Sequence, residues 1–237
     1  FENFTVSLYP DTGETLMNHT LFKDDFNKNT METWSLSPPE ENVAMEEGDL
    51  VYTTAFDRIA RNGTMDMYGP SEGARVVRSQ KAFTLPFNFS AELNAPSSDE
   101  SGPEESACPS QFIVVTPRKN YHYSKLGGKS SITVGWDCKS KWIISGTDTT
   151  NKVTAPCIND GSKSIHMNVI VRGAMIQFKD TNQCRTLYAP NPIKKKRRPL
   201  YLYLGATGGT KLNPARYSKV KLVGRKPVAG LVGDDST

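Results

Sequence analysis

Residues 164–180 read Ser-Ile-His-Met-Asn-Val-Ile-Val-Arg-Gly-Ala-Met-Ile-Gln-Phe-Lys-Asp. In the first half of this stretch, apolar side chains occupy alternate positions at Ile165, Met167, Val169 and Val171. A period of two is typical of a strand with one buried face. Gly173 interrupts the run and a second apolar run follows, which predicts two antiparallel strands joined by a tight turn.

The same kind of pattern recurs on both sides of this pair. Short runs with alternating or continuous apolar residues include 87–93, 111–116, 131–136, 200–205 and 217–223. About twelve such runs are separated by turn signals, and no amphipathic helix of a dozen residues is evident. This spacing predicts an all-β protein, an antiparallel β-sandwich or barrel.

We expect one β-sandwich domain over residues 21–223, preceded by an N-terminal extension (1–20) and followed by a C-terminal tail (224–237). Residues 94–109 are rich in Pro, Ser and acidic residues and contain no large apolar residue. This composition predicts an exposed acidic loop within the domain. A linker between two domains is the alternative for this segment.

Charge is unevenly distributed along the 237 residues, although the net charge is only +4. Residues 1–110 carry a balance of −12, and residues 111–237 carry +16. Either the two halves interleave in one fold, or acidic and basic surfaces pair between copies. No apolar run approaches the ~20 residues of a membrane-spanning helix, so no transmembrane segment is expected.

Four sequons of the form Asn-x-Ser/Thr lie in the first half, at Asn3, Asn18, Asn62 and Asn88. Such sequons are acceptors of N-linked glycans in secreted proteins. The sequence opens at Phe1 rather than Met, which is consistent with a removed signal peptide. We therefore expect a glycoprotein that is secreted or lies on the extracellular surface.

The four cysteines are Cys108, Cys138, Cys157 and Cys184, and none forms a Cys-x-x-Cys pair. Their spacing favours two disulfide bonds over a zinc site. Cys138–Cys157 with Cys108–Cys184 is the favoured connectivity of the three. Four free buried thiols are the alternative.

Three segments resemble the concanavalin A-like lectin/glucanase jelly-roll superfamily, which includes laminin G-like domains. They are Phe22-Lys23-Asp24-Asp25-Phe26 with Trp34, the pair of runs around Gly173, and the closing run 217–223. The resemblance implies a jelly roll whose closing strand pairs near the first strand. It also implies a structural calcium ion near Asp24 and Asp25, for which a turn-capping role of these residues is the alternative. No other cofactor is expected.

Hydrolases of that superfamily carry Glu-x-Asp-x-x-Glu or Glu-x-Asp-x-Glu on one strand, so that two carboxylates flank the sugar bond. This sequence has no such cluster, and residues 111–237 contain no Glu. No Gly-x-Ser-x-Gly or His-Glu-x-x-His motif is present either. The sequence therefore predicts a protein that is not an enzyme.

Aromatic residues are the expected route to sugar binding, because a ring packs against the apolar face of a pyranose. Tyr121 and Tyr123 lie in a polar stretch that ends in two glycines. Tyr201 and Tyr203 share one side of a run whose other side carries leucines, so we expect them to face solvent or a groove. These four tyrosines are candidate ligand-binding residues.

Five consecutive cations, Lys194, Lys195, Lys196, Arg197 and Arg198, stand between prolines. Outside the cell such a run suits an anionic polymer. A proteolytic processing site and a merely solvated loop are the alternatives. The sequons and cysteines argue against a nuclear signal, so no nucleic-acid partner is expected.

The sequence thus predicts a secreted, non-enzymatic, lectin-like or adhesive module that binds carbohydrate or extracellular matrix. A structural subunit that self-associates into an extracellular filament, coat or matrix is the first alternative. A divergent glycan-cleaving enzyme is the second.

Overall fold

A computed structural model describes fifteen segments of the chain. They are residues 17–26, 34–36, 44–46, 49–51, 57–61, 64–68, 75–94, 110–119, 130–137, 141–145, 153–156, 164–180, 186–194, 198–207 and 215–225. Within these segments every regular element is a β-strand. No helix in them could cross a membrane.

Seventeen strands follow one another along the described chain. They are β1 (His19–Asp24), β2 (Trp34–Leu36), β3 (Ala44–Glu46), β4 (Asp49–Val51), β5 (Asp57–Arg61), β6 (Thr64–Tyr68), β7 (Arg75–Ser79), β8 (Phe87–Asn94), β9 (Ser110–Thr116), β10 (Ile132–Asp137), β11 (Lys141–Ser145), β12 (Val153–Pro156), β13 (Ser164–Arg172), β14 (Met175–Asp180), β15 (Leu187–Pro190), β16 (Tyr201–Thr207) and β17 (Ala215–Gly224).

The strands form two antiparallel sheets. The ten-stranded sheet has the order β15-β14-β13-β8-β17-β6-β5-β4-β3, with β1 also paired to β17. The seven-stranded sheet has the order β12-β11-β10-β9-β16-β7-β2. Strands from both halves of the sequence pair with one another, so the acidic and basic halves interleave within one fold.

The stretch 164–180 forms the predicted hairpin. Gly173 sits at the turn with a φ of 52°, a left-handed conformation that glycine adopts without steric cost. Met167, Val169 and Val171 are buried on one side of β13, and Ile176 and Phe178 are buried on the same side of β14. The alternation seen in the sequence therefore marks the inner face of the ten-stranded sheet.

The core lies between the two sheets and is bridged by polar contacts. Tyr217 of β17 places its hydroxyl 2.6 Å from the carbonyl oxygen of Gly205 and 2.9 Å from that of Phe112, both in the opposite sheet. Gln111 of β9 donates from Nε2 to the Arg216 carbonyl oxygen at 2.8 Å. Buried donors and acceptors are thus paired across the core and fix the sheets relative to each other.

The fold matches the predicted all-β sandwich, and the closing strand β17 pairs with β1 as the resemblance implied. The number of strands differs, because about twelve were expected and the structure has seventeen. The additional strands include the short elements β5 and β6, which have only 5 residues each. Runs of that length carry too few alternations to be distinguished from loops.

Candidate functional site

The outer face of the seven-stranded sheet carries a cluster of aromatic and aliphatic side chains, which we call the aromatic face. Its buried members are Val76 on β7, Val114 on β9 and Tyr203 on β16, and the partly buried Phe112 and Tyr201 pack against them. These positions alternate with residues that point into the core, such as Ile113 and Leu204. The sheet is therefore apolar on both sides at its centre.

Tyr203 lies at the centre of this face and is fully buried. Its hydroxyl is 2.7 Å from each of the carbonyl oxygens of Arg118 and Lys119, in the segment that follows β9. The expectation that Tyr203 faces solvent or a groove is wrong, because this segment covers it. Alternation assigned the side of the strand correctly, as the leucines at 200, 202 and 204 are buried in the core.

Tyr201 is only partly buried, and the guanidinium carbon of Arg78 lies 5.1 Å from the centre of its ring. The cation over the ring holds the aromatic side chain in place by a cation–π interaction. Tyr201 is therefore partly exposed at the margin of the aromatic face, whereas Tyr203 is fully buried within it.

Strand β10 adjoins Phe112 on this face. Gly135 pairs with Phe112 in the register, and Gly205 pairs with Phe112 from the other side. A Cβ atom at Gly135 would lie 3.6 Å from the Phe112 Cβ, so the missing side chain leaves the flank of Phe112 open. The ring of Phe112 thus stands between two glycine positions, of which Gly135 is partly exposed and Gly205 is buried.

Acidic residues are scarce in this sheet. Along β10 the outer positions are Thr133 and Gly135, and Ser131 stands just before the strand with its Oγ donating to Thr116 Oγ1 at 3.1 Å. Among the seven strands as the structure describes them, the only acidic residue is Asp137, at the end of β10. These described strands therefore contain no pair of carboxylates.

Asp24 is buried at the end of β1 and holds the start of the chain in place. Its Oδ1 accepts a hydrogen bond from the Phe26 amide at 2.7 Å, and its Oδ2 accepts one from Trp34 Nε1 at 2.6 Å. Burial is the main cause that raises the pKa of the Asp24 carboxyl, and the two hydrogen bonds partly oppose it. These contacts are those of the turn-capping alternative, with Trp34 of the opposite sheet as a second partner.

Asp25 is exposed beside Asp24, and its Oδ1 lies 3.5 Å from Lys23 Nζ. No group of three or more His, Cys, Asp or Glu side chains converges anywhere in the described segments. The calcium site expected at Asp24 and Asp25 remains a prediction.

Other predicted residues are spread over the surface or fall outside the described segments. Lys194 and Arg198 are exposed at the two ends of the basic run, and Asn18 is exposed just before β1. Asn88 is half-buried near the start of β8. Outside the described residues lie Tyr121, Tyr123, Lys195, Lys196, Arg197, Asn3, Asn62 and the four cysteines, Cys108, Cys138, Cys157 and Cys184.

No protein-family model matches this sequence, and no curated protein sequence matches it. Solved structures do. The laminarinase LamA from Zobellia galactanivorans, in complex with laminaritriose and laminaritetraose, has a TM-score of 0.59 at 14% identity, over 87% of this chain and 99% of that chain. The fold is the concanavalin A-like jelly roll. Two other solved structures with this fold are similar in the same way.

The Bacillus licheniformis β-glucanase has a TM-score of 0.52 at 10% identity, over 86% of this jelly-roll chain and 98% of the glucanase. The winged bean acidic lectin, complexed with methyl-α-D-galactose, has a TM-score of 0.54 at 11% identity, over 87% and 99%. Glycan-cleaving enzymes among these neighbours contradict the prediction of a non-enzymatic module. They favour the alternative of a divergent glycan-cleaving enzyme.

The sequence does not single out Phe112, Gly135 and Asp137, which lie on the neighbouring strands β9 and β10. The run Gln111–Thr116 is apolar on both sides, so its sequence does not reveal which residues face outward. Phe112 pairs with two glycines on strands that lie about 20 and about 90 residues further along the chain. No local sequence pattern encodes that register.

Proposed function

We propose that this protein is a divergent glycan-cleaving enzyme that holds a polysaccharide chain against the aromatic face. The jelly-roll frame that it has in common with a laminarinase and a β-glucanase supports the proposal. The observation that carries it is the place of Asp137, the one acidic residue in the described strands of this sheet. A glycosidase requires a carboxyl group at the scissile bond.

Binding is assigned to the rings of Phe112 and Tyr201, which are both partly buried. An aromatic ring packs on the C–H face of a pyranose and excludes water from it. Thr133, next to Gly135 on the outer side of β10, adds a hydroxyl group that donates to or accepts from sugar hydroxyls. The polysaccharide would lie over β10 and the Phe112 end of β9, where Gly135 and Phe112 are partly exposed.

Cleavage is assigned to Asp137, because alternation along β10 puts position 137 on the same side as 133 and 135. In a pair of carboxyl groups, one protonates the glycosidic oxygen while the other attacks the anomeric carbon or activates water. Trp136 pairs with Gln111, so β9 begins at the sheet end where β10 finishes. Glu104 and Glu105 precede β9 by only a few residues in the sequence, and we assign the second carboxyl group to one of them.

The experiment is a reducing-end assay on a panel of polysaccharides, with β-1,3-glucan, mixed-linkage β-glucan and a neutral galactan. We expect the protein to release reducing ends from at least one of them. Asp137→Asn should lower the rate on the order of a hundredfold or more, the effect of losing a general acid or base. Asp180→Asn, the same change at the end of β14 in the other sheet, is the matched control and should leave the rate unchanged.

Two outcomes would refute the proposal. One is the binding of a polysaccharide without release of reducing ends from any member of the panel. The other is an Asp137→Asn variant that melts like the parent protein and cleaves at the parent rate. A Glu104→Gln/Glu105→Gln variant then tests the second carboxyl group, since cleavage that survives both changes would exclude these two residues.

We also propose that the protein acts outside the cell, as its sequons suggest. Asn18 supports this, because it is exposed and directly precedes β1, where an attached glycan would not disturb the sheets. Treatment of the natural protein with an N-glycan amidase should lower its mass. An unchanged mass would contradict the proposal.

A further inference from the structure

A straight row of side chains crosses the outer face of the ten-stranded sheet, at right angles to its strands. The register connects its members through five adjacent strands, β1, β17, β8, β13 and β14, in the order Lys23, Lys221, Ser90, Asn168 and Lys179. Adjacent strands are about 4.8 Å apart, so the row is roughly 19 Å long. We call it the lysine row.

The three lysines of the row are exposed. Lys23 and Lys221 are direct cross-strand partners, and like charges in that arrangement repel each other. Asp25 approaches Lys23 to 3.5 Å, and both side chains are about half exposed. A bound anion would relieve the repulsion that this weak, solvated ion pair leaves in place.

The nearby acid Glu92 is already engaged one row away. Its Oε2 lies 2.8 Å from Lys219 Nζ, and its Oε1 lies 3.6 Å from His166 Nε2. Only 13% of the Glu92 side chain is exposed. This carboxylate therefore serves its own partners, and the lysine row keeps its positive character.

The centre of the row offers hydrogen-bonding groups rather than charge. Asn168 Oδ1 is buried and has no hydrogen-bond partner, and the same holds for Asn88 Oδ1 on the neighbouring strand. A buried amide oxygen without a donor costs free energy. A ligand hydroxyl group would supply the donor once the half-buried Asn168 side chain turns its oxygen toward the surface.

A second row runs beside the first and ends in an aromatic residue. Asn88, Ile170, Gln177 and Tyr188 follow one another in the register across β8, β13, β14 and β15. Tyr188 is 57% exposed, and Gln177 Nε2 lies 3.3 Å from its hydroxyl oxygen. An exposed, tethered ring of this kind is suited to packing on a sugar.

We propose that the outer face of the ten-stranded sheet binds an extended anionic polysaccharide, with sulfate or carboxylate groups, along the lysine row. Such a ligand combines anions for the lysines with hydroxyl groups for the asparagine oxygens and a ring face for Tyr188. A nucleic acid would find one exposed aromatic side chain among the described residues of this face, where single-strand binding uses several stacking platforms. This face belongs to the ten-stranded sheet, whereas the aromatic face belongs to the seven-stranded sheet. Binding here therefore does not depend on cleavage at the aromatic face.

The test is a binding titration with dextran sulfate and with unmodified dextran, on protein from a host that attaches no N-glycans, since a glycan at Asn88 would cover the row. We expect binding of dextran sulfate only, with an affinity that falls as salt rises. Lys179→Gln/Lys221→Gln should weaken binding at least tenfold and flatten the salt dependence. Lys81→Gln/Arg118→Gln, which removes two exposed charges elsewhere, should change the affinity less than twofold.

Asn168→Ala distinguishes a sugar from a bare polyanion. We expect weaker binding of dextran sulfate with an unchanged salt slope, because the change removes a hydrogen-bond acceptor and no charge. The proposal fails if the lysine variant binds like the parent, or if duplex DNA binds as tightly as dextran sulfate and ignores the Asn168 change. The Asp137→Asn variant should bind dextran sulfate normally, so failure of cleavage and failure of this site are separable.

Discussion

The two outer faces of this sandwich follow the same alternation and carry opposite chemistry. On the seven-stranded sheet the outer positions of β9 and β16 hold Val114 and Tyr203, both fully buried. On the ten-stranded sheet the outer positions of β17 and β14 hold Lys221 and Lys179, both exposed. The difference is in what covers each face, because the segment after β9 closes over Tyr203. One face therefore adds to the core, and the other is free to carry charge.

Among the variants that test this contrast, Tyr203→Ala should cause the largest loss of stability. The ring is fully buried, so its loss leaves a cavity and should lower the free energy of unfolding by about 3–5 kcal/mol. Tyr188→Ala is the matched change on the other face and should cost about 0.5 kcal/mol or less. Urea denaturation of both variants measures this, and equal losses would show that the two faces do not differ in burial.

Tyr217→Phe tests the bond between the sheets. The hydroxyl is fully buried beside the carbonyl oxygens of Gly205 and Phe112, and burial raises its pKa. Removing it should cost about 1–2 kcal/mol with no change of fold. A variant as stable as the parent in urea denaturation would mean that these contacts do not stabilise the sandwich.

Asp24→Asn tests the hydrogen bonds that connect the end of β1 to Trp34. Its effect on stability should depend on pH. At pH 7 the variant should be about 1 kcal/mol less stable, because an amide cannot accept from both the Phe26 amide and Trp34 Nε1.

The pH dependence follows from the raised pKa of Asp24. The folded protein holds this proton more tightly than the unfolded chain, so the stabilising contribution is present below the unfolded pKa and is lost as pH rises through the folded pKa. The parent should therefore gain stability over the variant as pH falls from 7 toward about 4. A difference that shrinks on acidification would contradict this.

Lys23→Gln, on the exposed face of the ten-stranded sheet, should cause the smallest change in stability. Removing one of two facing lysines should raise the free energy of unfolding by about 0.3 kcal/mol at low salt. The gain should disappear at high salt, where charges are screened. Loss of stability at low salt would show that the ion pair with Asp25 outweighs the repulsion.

Local features of this molecule can be predicted from its sequence, whereas features that depend on distant strands cannot. Alternation in β13 and the turn at Gly173 are encoded within a few residues, and both were predicted. The burial of Tyr203 was not, because alternation gives the side of a strand and not the segment that covers it. The lysine row joins positions 23, 90, 168 and 221, and only the register of distant strands brings them together.

The most direct test of both proposed sites measures polysaccharide cleavage and dextran sulfate binding together, on three proteins. The parent should release reducing ends from a neutral glucan and bind dextran sulfate. Asp137→Asn should lose cleavage on the order of a hundredfold and keep dextran sulfate binding, whereas Lys179→Gln/Lys221→Gln should show the reverse. A parent protein that releases no reducing ends from any polysaccharide tested would contradict the proposal that the seven-stranded sheet carries a glycan-cleaving site.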